Sequence, residues 1–210
     1  IHIDTPEKLI LGFKKAKNLH IVVDGINGPQ QIDVYKHKLG NKVTGLYRLE
    51  VGGEVYPDYP NCDERLRHNS ILGFGGYQLI QQLKKQGLMD EPPVYHLNES
   101  STVLGALALL DDKTMQNRID GMNAENSFKN ALEYVHAHTL LTNHTLVPAA
   151  SCTYNRDQCN KAIFSNIQSV DVKIWLDSFM NQRGNQLSFN DLALELAGKY
   201  NGVSKLHAQK

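Results

Sequence analysis

The 210-residue sequence lacks a long apolar run, an excess of charge of either sign and a cysteine-rich pattern. No apolar stretch approaches the roughly 20 residues that a membrane-spanning helix requires. Lys plus Arg and Asp plus Glu both total 22, so the formal net charge is zero. Because nucleic acid and anionic membrane surfaces select for basic proteins, neither is expected as a partner. Three cysteines are too few for a disulfide framework, which favours a reducing, cytoplasmic compartment.

The sequence also lacks internal repeats, low-complexity tracts and any stretch that resembles a flexible linker. One domain over residues 1–210 is therefore expected. The chain begins Ile1-His2-Ile3, without Met and without a signal-peptide pattern. We interpret this start as a cut through a longer protein.

The first third predicts one helix and then a small antiparallel sheet. Residues 4–17 have an amphipathic helical pattern, and short β-branched runs follow at 19–23, 32–35 and 43–49. Pairing of these runs must be antiparallel because no crossover helix fits between them. Residues 52–63 are rich in Gly, Pro and Tyr and are predicted to form a loop.

A helical period runs from Arg65 to Gly87 and contains the glycine cluster Gly73-Phe74-Gly75-Gly76. Its spacing is not G-x-G-x-x-G and no strand precedes it, so a nucleotide-binding loop is the weaker interpretation. Close packing against another helix is favoured instead.

The middle of the chain predicts strand, helix, helix and strand, in that order, at residues 94–97, 102–110, around 128–135 and 139–142. Ser100 or Ser101 is expected to cap the first of these helices. The order implies that the two strands pair in parallel through a crossover. The last third predicts helices at 158–167, 171–182 and 190–199, with Asn190 as a cap and Asn201-Gly202 as the stop.

Polar residues follow both central strands at the point where each strand ends. Asn98 and Glu99 follow the first strand, and Asn143, His144 and Thr145 follow the second. Ligands of open α/β sheets bind just beyond the carboxyl ends of the strands, so a polar crevice for a sugar or a phosphate is expected. From the residue types alone, a structural role for Glu99 and His144 is as well supported as a functional one. Glu99 could be a capping carboxylate, and His144 could be a strand-end histidine bonded to backbone.

Other arrangements of reactive residues are less favoured. His136 and His138 are two residues apart and face different sides of a helix, with no further ligand at zinc spacing. Cys152 and Cys159 lack C-x-x-C spacing. A nucleophile pair of Cys152 and His144 has no supporting local motif.

At the same strand ends, the chain resembles the α-glucan (glycogen, starch and maltodextrin) phosphorylases. Tyr95-His96-Leu97-Asn98-Glu99 is similar to the family strand that ends in Leu-Asn-Glu or Leu-Asn-Asp. Residues 142–149 (TNHTLVPA) are similar to its Thr-Asn-His-Thr or Thr-Thr-His-Thr segment. The resemblance extends in family order to residues 65–76, 189–194 and 201–207.

This resemblance implies an α/β fold, the Rossmann-like N-terminal lobe of a two-lobed GT-B glycosyltransferase. The chain would form an incomplete lobe, with short antiparallel strands at its start and helices at its C-terminal end. The implied reaction transfers a terminal α-1,4-linked glucose to inorganic phosphate and gives glucose 1-phosphate. The implied cofactor, pyridoxal phosphate, and the remaining lobe lie beyond the 210 residues, which alone are expected to be inactive. Homodimer formation is left open.

The resemblance also assigns site residues. His144 would be catalytic, contacting the glucosyl unit and stabilising its positive charge through its carbonyl. The sugar pocket would be lined by Asn98, Glu99, Asn143, Thr145 and Ala150. No residue of the chain is assigned to the cofactor or to a metal.

The chain departs from the family pattern near these motifs. Ser101 replaces a histidine, His68-Asn69 replaces Gln-Glu, and Glu50-Val51 replaces Asp-Thr. The family's Gly-Gly-Leu-Gly phosphate loop is absent from the sequence. Ser101 and Asn69 favour the alternative function, a divergent non-catalytic lobe that binds carbohydrate or has a regulatory role.

Overall fold

A computed structural model describes residues 12–38, 45–50, 62–89, 93–144 and 153–202 of the chain. This part is a mixed α/β structure. Its strands are β1 (Lys14–Lys15), β2 (Ile21–Gly25), β3 (Gly28–Lys38), β4 (Gly45–Glu50), β5 (Tyr95–Asn98), β6 (Thr139–Asn143), β7 (Thr153–Asn155), β8 (Gln186–Ser188) and β9 (Lys199–Gly202). Its α-helices are α1 (Cys62–Ser70), α2 (Gly76–Lys85), α3 (Val103–Ile119), α4 (Ala124–His138), α5 (Arg156–Ala162), α6 (Val170–Asn181) and α7 (Phe189–Leu196).

The first sheet confirms the predicted antiparallel arrangement, because β1, β2 and β4 all pair antiparallel with β3. The helix predicted at 4–17 is wrong at its end, where Lys14–Lys15 form β1. Backbone pairing overrides the helical pattern there: Ala16 N–H donates to Val34 O at 2.8 Å, and Lys15 forms an ion pair with Asp33 at 2.5 Å. Residues 4–11 of that prediction lie outside the described part.

The helical region predicted from Arg65 to Gly87 is confirmed, although it begins at Cys62 and contains a π-helical turn at Ile71–Gly75. The predicted loop at 52–63 lies outside the described residues up to 61. Close packing at the glycine cluster is also confirmed. A Cβ on Gly73 would lie 2.4 Å from Leu104 Cβ on α3, so only glycine allows this approach. The cluster is therefore a helix contact and not a nucleotide-binding loop.

The sheet that carries the candidate site consists of β5, β6 and β9, all parallel. The predicted strands 94–97 and 139–142 are confirmed as β5 and β6, joined through α3 and α4. The helix predicted at 190–199 ends at Leu196, and β9 pairs with β6 where a stop was expected. Gly198 enables this path because a Cβ there would lie 1.7 Å from His136 O.

Two of the predicted helix caps are wrong. Ser188, not Asn190, caps α7 by accepting a hydrogen bond from Asp191 N–H at 3.3 Å. Neither Ser100 nor Ser101 caps α3, which begins after a short 3₁₀ turn with Thr102 at its N-cap position. The Thr102 hydroxyl instead donates back to Glu99 O at 2.9 Å.

Helix α3 forms the centre of the core. Its side chains Val103, Leu104, Leu107 and Leu110 are fully buried, and α4, α6 and α7 contact it. A helix buried on most sides carries no clear amphipathic stripe, which agrees with the continuous apolar run in its first half. Ala131 and Val135 on α4 are buried, as the pattern around 128–135 predicts. Among the described residues, no helix has the length and apolar character needed to cross a membrane.

Candidate functional site

The ends of β5 and β6 bring the predicted site residues together. In the parallel register, Asn98 lies opposite Thr142, so the residues after each strand emerge at the same edge of the sheet. Asn98 Oδ1 and His144 Nε2 are 2.8 Å apart. An amide oxygen can only accept, so His144 Nε2 carries the proton and donates to it. The prediction that Asn98 and His144 share one sheet edge is therefore confirmed.

Glu99 holds His144 from the other side. His144 N–H donates to Glu99 Oε1 at 2.7 Å. His144 is thus fixed twice, through its ring by Asn98 and through its backbone by Glu99. Two such bonds restrict both the ring and the peptide plane of a residue that is otherwise exposed. We name these three residues, Asn98, Glu99 and His144, the edge cluster.

The backbone of Glu99 has an unusual conformation, with φ 69° and ψ 163°. This region is occupied almost only by glycine, and a side chain there costs about 1–3 kcal/mol. Three hydrogen bonds compensate: Glu99 N–H donates to Thr142 O at 2.9 Å, and Thr102 donates to Glu99 O through its N–H at 3.3 Å and its hydroxyl at 2.9 Å. Strain that the surrounding bonds maintain is typical of functional sites.

Thr142 and His96 support the edge cluster and were not predicted as site residues. His96 Nε2 and Thr142 Oγ1 are 2.7 Å apart, while Thr142 O receives the Glu99 N–H. Along β5 the exposed residues alternate with buried ones, which places His96 on the same face as Asn98. That alternation is present in the sequence and could have identified His96.

The chemistry of this edge suits a neutral polyhydroxylated ligand. It presents an amide, a carboxylate, an imidazole and Asn143 close together, which provide both donors and acceptors for hydroxyl groups. None of the three residues of the edge cluster is a lysine or an arginine, the side chains that bind phosphate most strongly. The assigned pocket residues Thr145 and Ala150 lie outside the described residues.

Two departures from the family pattern fall in different environments. His68 and Asn69 are buried in α1, and Asn69 donates to the Tyr154 hydroxyl at 3.3 Å, so these residues contribute to packing. Ser101 lies in the 3₁₀ turn directly after Glu99, beside the edge cluster. Of these residues, only Ser101 lies beside the edge cluster. In the third departure, Glu50 ends β4 and Val51 lies outside the described residues.

The other arrangements considered from the sequence are not supported as sites. His136 Nε2 lies 2.9 Å from Glu195 O, and His138 stacks on Tyr134 with ring centroids 3.9 Å apart, so both pack against the protein. Within the described ranges, no group of three metal-ligating side chains is present. Cys159 is buried, and burial raises the pKa of its thiol to about 12, which makes it a poor nucleophile. Cys152 lies outside the described residues.

A hollow of about 320 Å³ lies away from the strand ends, between the β2–β3 turn and α1. Its lining residues are Ile26, Asn27, Asp63, Glu64 and Arg67. Arg67 donates to Gln30 Oε1 at 2.8 Å, and Asp63 accepts from Gln158 Nε2 at 2.5 Å. None of the site residues assigned from the sequence lines this hollow, so we favour the edge cluster as the site.

The strain at Glu99 gives a first testable prediction. Glu99→Gly and Glu99→Ala both remove the carboxylate, but only the alanine keeps a Cβ in the strained conformation. We expect the Glu99→Gly variant to be more stable than the Glu99→Ala variant by at least about 1 kcal/mol in the free energy of unfolding, measured by urea denaturation. Equal stability, or a more stable alanine variant, would contradict backbone strain of this size at Glu99.

Comparison with known proteins adds one finding to this geometry. No protein-family profile matches the chain. The chain is similar to a maltodextrin phosphorylase from Thermococcus litoralis, with 28% identity over 149 residues. This similarity supports a phosphorylase-related family. The match covers 70% of the chain but only 16% of the length of that phosphorylase.

Proposed function

We propose that this chain is the glucan-binding side of an α-glucan phosphorylase, a GT-B glycosyltransferase that transfers terminal α-1,4-linked glucose to inorganic phosphate. In this proposal, residues 1–210 form a single α/β domain, an incomplete N-terminal lobe of a longer enzyme. The partners are the α-1,4-glucan, inorganic phosphate and the remaining lobe, in the cytoplasm. The similarity to a maltodextrin phosphorylase supports this assignment.

The observation that carries the proposal is the double attachment of His144. Asn98 bonds its ring at 2.8 Å and Glu99 bonds its backbone at 2.7 Å. Strained residues that their surroundings hold in place cluster at functional sites. Catalysis benefits from such fixing, because a displacement of about 1 Å at a reacting centre can cost a hundredfold in rate.

The edge cluster would act by orientation and by charge stabilisation. His144 would place its carbonyl dipole against the positive charge that develops on the glucosyl unit, a preorganised interaction that needs no reorganisation during the reaction. Asn98, Glu99 and Asn143 would bond sugar hydroxyls and fix the ring. Thr145 and Ala150, which follow His144 in the chain, would complete the pocket.

Pyridoxal phosphate is the cofactor that this function implies, and in phosphorylases its phosphate group supplies a proton donor or relay. The edge cluster does not fit that group, since its members include no cationic side chain. We therefore assign no cofactor contact to this edge and place the cofactor in the remaining lobe.

A competing function is a divergent lobe that binds carbohydrate without catalysis, and Ser101 favours it. Substitution separates the two functions. If the longer protein is an active enzyme, Ser101→His should keep or raise glucose 1-phosphate release from maltodextrin, because it restores a ring beside the edge cluster. Ser100→His is the matched control, one residue away in the same turn, and should not raise it. Glucan binding with no release from either the parent or Ser101→His would favour the non-catalytic lobe.

A further inference from the structure

Strand β2 has an edge that no other described strand pairs with, and amide side chains cover it. On its inner side β2 pairs with β3. The peptide groups that face the other side belong to alternate residues, which is the two-residue period of a strand. These residues are His20, directly before β2, and Val22 and Asp24 within it, and each is bonded by the side chain of a Gln or Asn. An open strand edge of this kind is a template for pairing with another chain.

Two glutamines on α2 bond the edge in the same way. Gln82 accepts from His20 N–H at 3.0 Å and donates to His20 O at 2.5 Å. Gln78 accepts from Val22 N–H at 3.2 Å and donates to Val22 O at 2.7 Å. Each pair reproduces the two bonds that opposite residues exchange in an antiparallel ladder, because a primary amide carries the same donor and acceptor as a peptide group.

Asn166 continues the pattern from a different element. It accepts from Asp24 N–H at 3.0 Å and donates to Asp24 O at 2.7 Å. Asn166 ends the 3₁₀ turn Phe164–Asn166, far from α2 in the sequence. Two separate elements thus supply amides to one strand edge. We name Gln78, Gln82 and Asn166 the amide row.

Helix and strand geometry explain why glutamines four residues apart can do this. Four helical residues rise about 6.0 Å, whereas two strand residues span about 6.6–6.8 Å. Between the first two glutamines this mismatch is less than about 1 Å, which flexible side chains can accommodate. The mismatch grows with each further pair of residues along the strand. Gln86, one further step along, makes a single bond of 3.4 Å to Asn18 O, as this accumulation predicts.

We propose that the amide row acts as a surrogate strand that keeps β2 from pairing with β2 of a second copy of this chain. The sequence of the edge suits such a pairing. Antiparallel pairing centred on Val22 places Val22 opposite Val22 and His20 opposite Asp24, joining apolar to apolar and imidazole to carboxylate. Val22 is 50% exposed, so its contact would bury apolar surface. A net charge of zero provides little repulsion between copies.

The test removes the two glutamines of the row, leaves Asn166 in place, and measures both edge protection and association. The variant is Gln78→Ala/Gln82→Ala in the 210-residue chain. The control is Gln81→Ala/Gln116→Ala, which removes two helical glutamines outside the row. In a dilute solution of the variant, hydrogen exchange at the His20 and Val22 amides should be at least about fivefold faster than in the unchanged chain, while the Ile21 and Val23 amides stay protected. In a concentrated solution of the variant, sedimentation should show a dimer, and the His20 and Val22 amides should regain protection.

Two results would overturn the proposal. Unchanged exchange at His20 and Val22 would show that the glutamines do not protect the edge. Faster exchange in a variant that remains monomeric at every concentration would show that the exposed edge does not self-associate. Should the double variant fail to fold, Gln82→Met keeps the size and helix propensity of the side chain without the amide, and the same two measurements apply to it.

Discussion

Gly198→Ala should destabilise the chain by about 3–5 kcal/mol, because the added methyl group cannot be accommodated without moving backbone. A Cβ at this position would lie 1.7 Å from His136 O and 2.4 Å from His136 C. Both atoms belong to the last turns of α4, directly before β6. The same glycine donates its N–H to Thr139 Oγ1 at 3.1 Å. The substitution therefore separates β9 from the strand that leads to His144.

The chain offers a matched control for this prediction. A Cβ on Gly105, in α3, would meet Gly73 O at an ordinary contact distance of 3.6 Å. Gly105→Ala should leave stability unchanged or raise it by up to about 1 kcal/mol through helix propensity. Urea denaturation of both variants gives the comparison. Equal stability of the two variants would show that the backbone at Gly198 does not approach α4 as closely as the structure indicates.

His144→Ala should lower phosphorolysis by the proposed longer enzyme about a hundredfold. The change leaves the backbone carbonyl in place but removes the ring that Asn98 holds. Since Asn98→Ala removes the same bond from the other side, the two losses should not add. Expressed as activation free energies, the loss in the double variant should be smaller than the sum of the two single losses by at least about 1 kcal/mol, which is the coupling energy. Initial rates of glucose 1-phosphate release, with phosphate saturating, measure all three.

His20→Ala is the control for this cycle, because the His20 side chain is exposed beside β2, which belongs to a different sheet from β5 and β6. Its rate should match that of the unchanged enzyme. Fully additive losses from Asn98 and His144 would mean that the 2.8 Å contact between them has no catalytic importance.

The strands β5 and β6 were predictable because each is a short apolar run that ends abruptly in polar residues. Tyr95 and Leu97 are buried, and the apolar runs before Asn98 and His144 both break at polar residues. That break locates the carboxyl ends of parallel strands, so all three members of the edge cluster could be placed together from the sequence. Packing at Gly73 was predictable for a similar reason, since glycine within a helix carries a propensity cost that close contact compensates.

The features that the sequence did not reveal depend on backbone contacts. Strand β9 has the sequence Lys199-Tyr200-Asn201-Gly202 and buries no side chain, so it shows no alternation. Backbone pairing with β6 stabilises this strand, and Gly198 allows the preceding backbone to pass close to His136. The strained φ of Glu99 is similarly invisible, because glutamate is not a residue type that favours positive φ. Gln78 and Gln82 show helical spacing, but their partners beside and on β2 are distant in the sequence.

The most direct test of the central claim is a sugar titration of the ¹⁵N-labelled chain followed by NMR. Maltotetraose should shift the amide signals of Glu99, Asn143 and His144 at concentrations of about 1 mM or above, since half of the enclosing surface would be missing. Cellotetraose, which differs in its β-1,4 linkage, should leave them unshifted, and Asn98→Ala should weaken the response to maltotetraose. Equal shifts with both sugars, or shifts confined to the hollow around Ile26 and Arg67, would contradict a glucan site at the edge cluster.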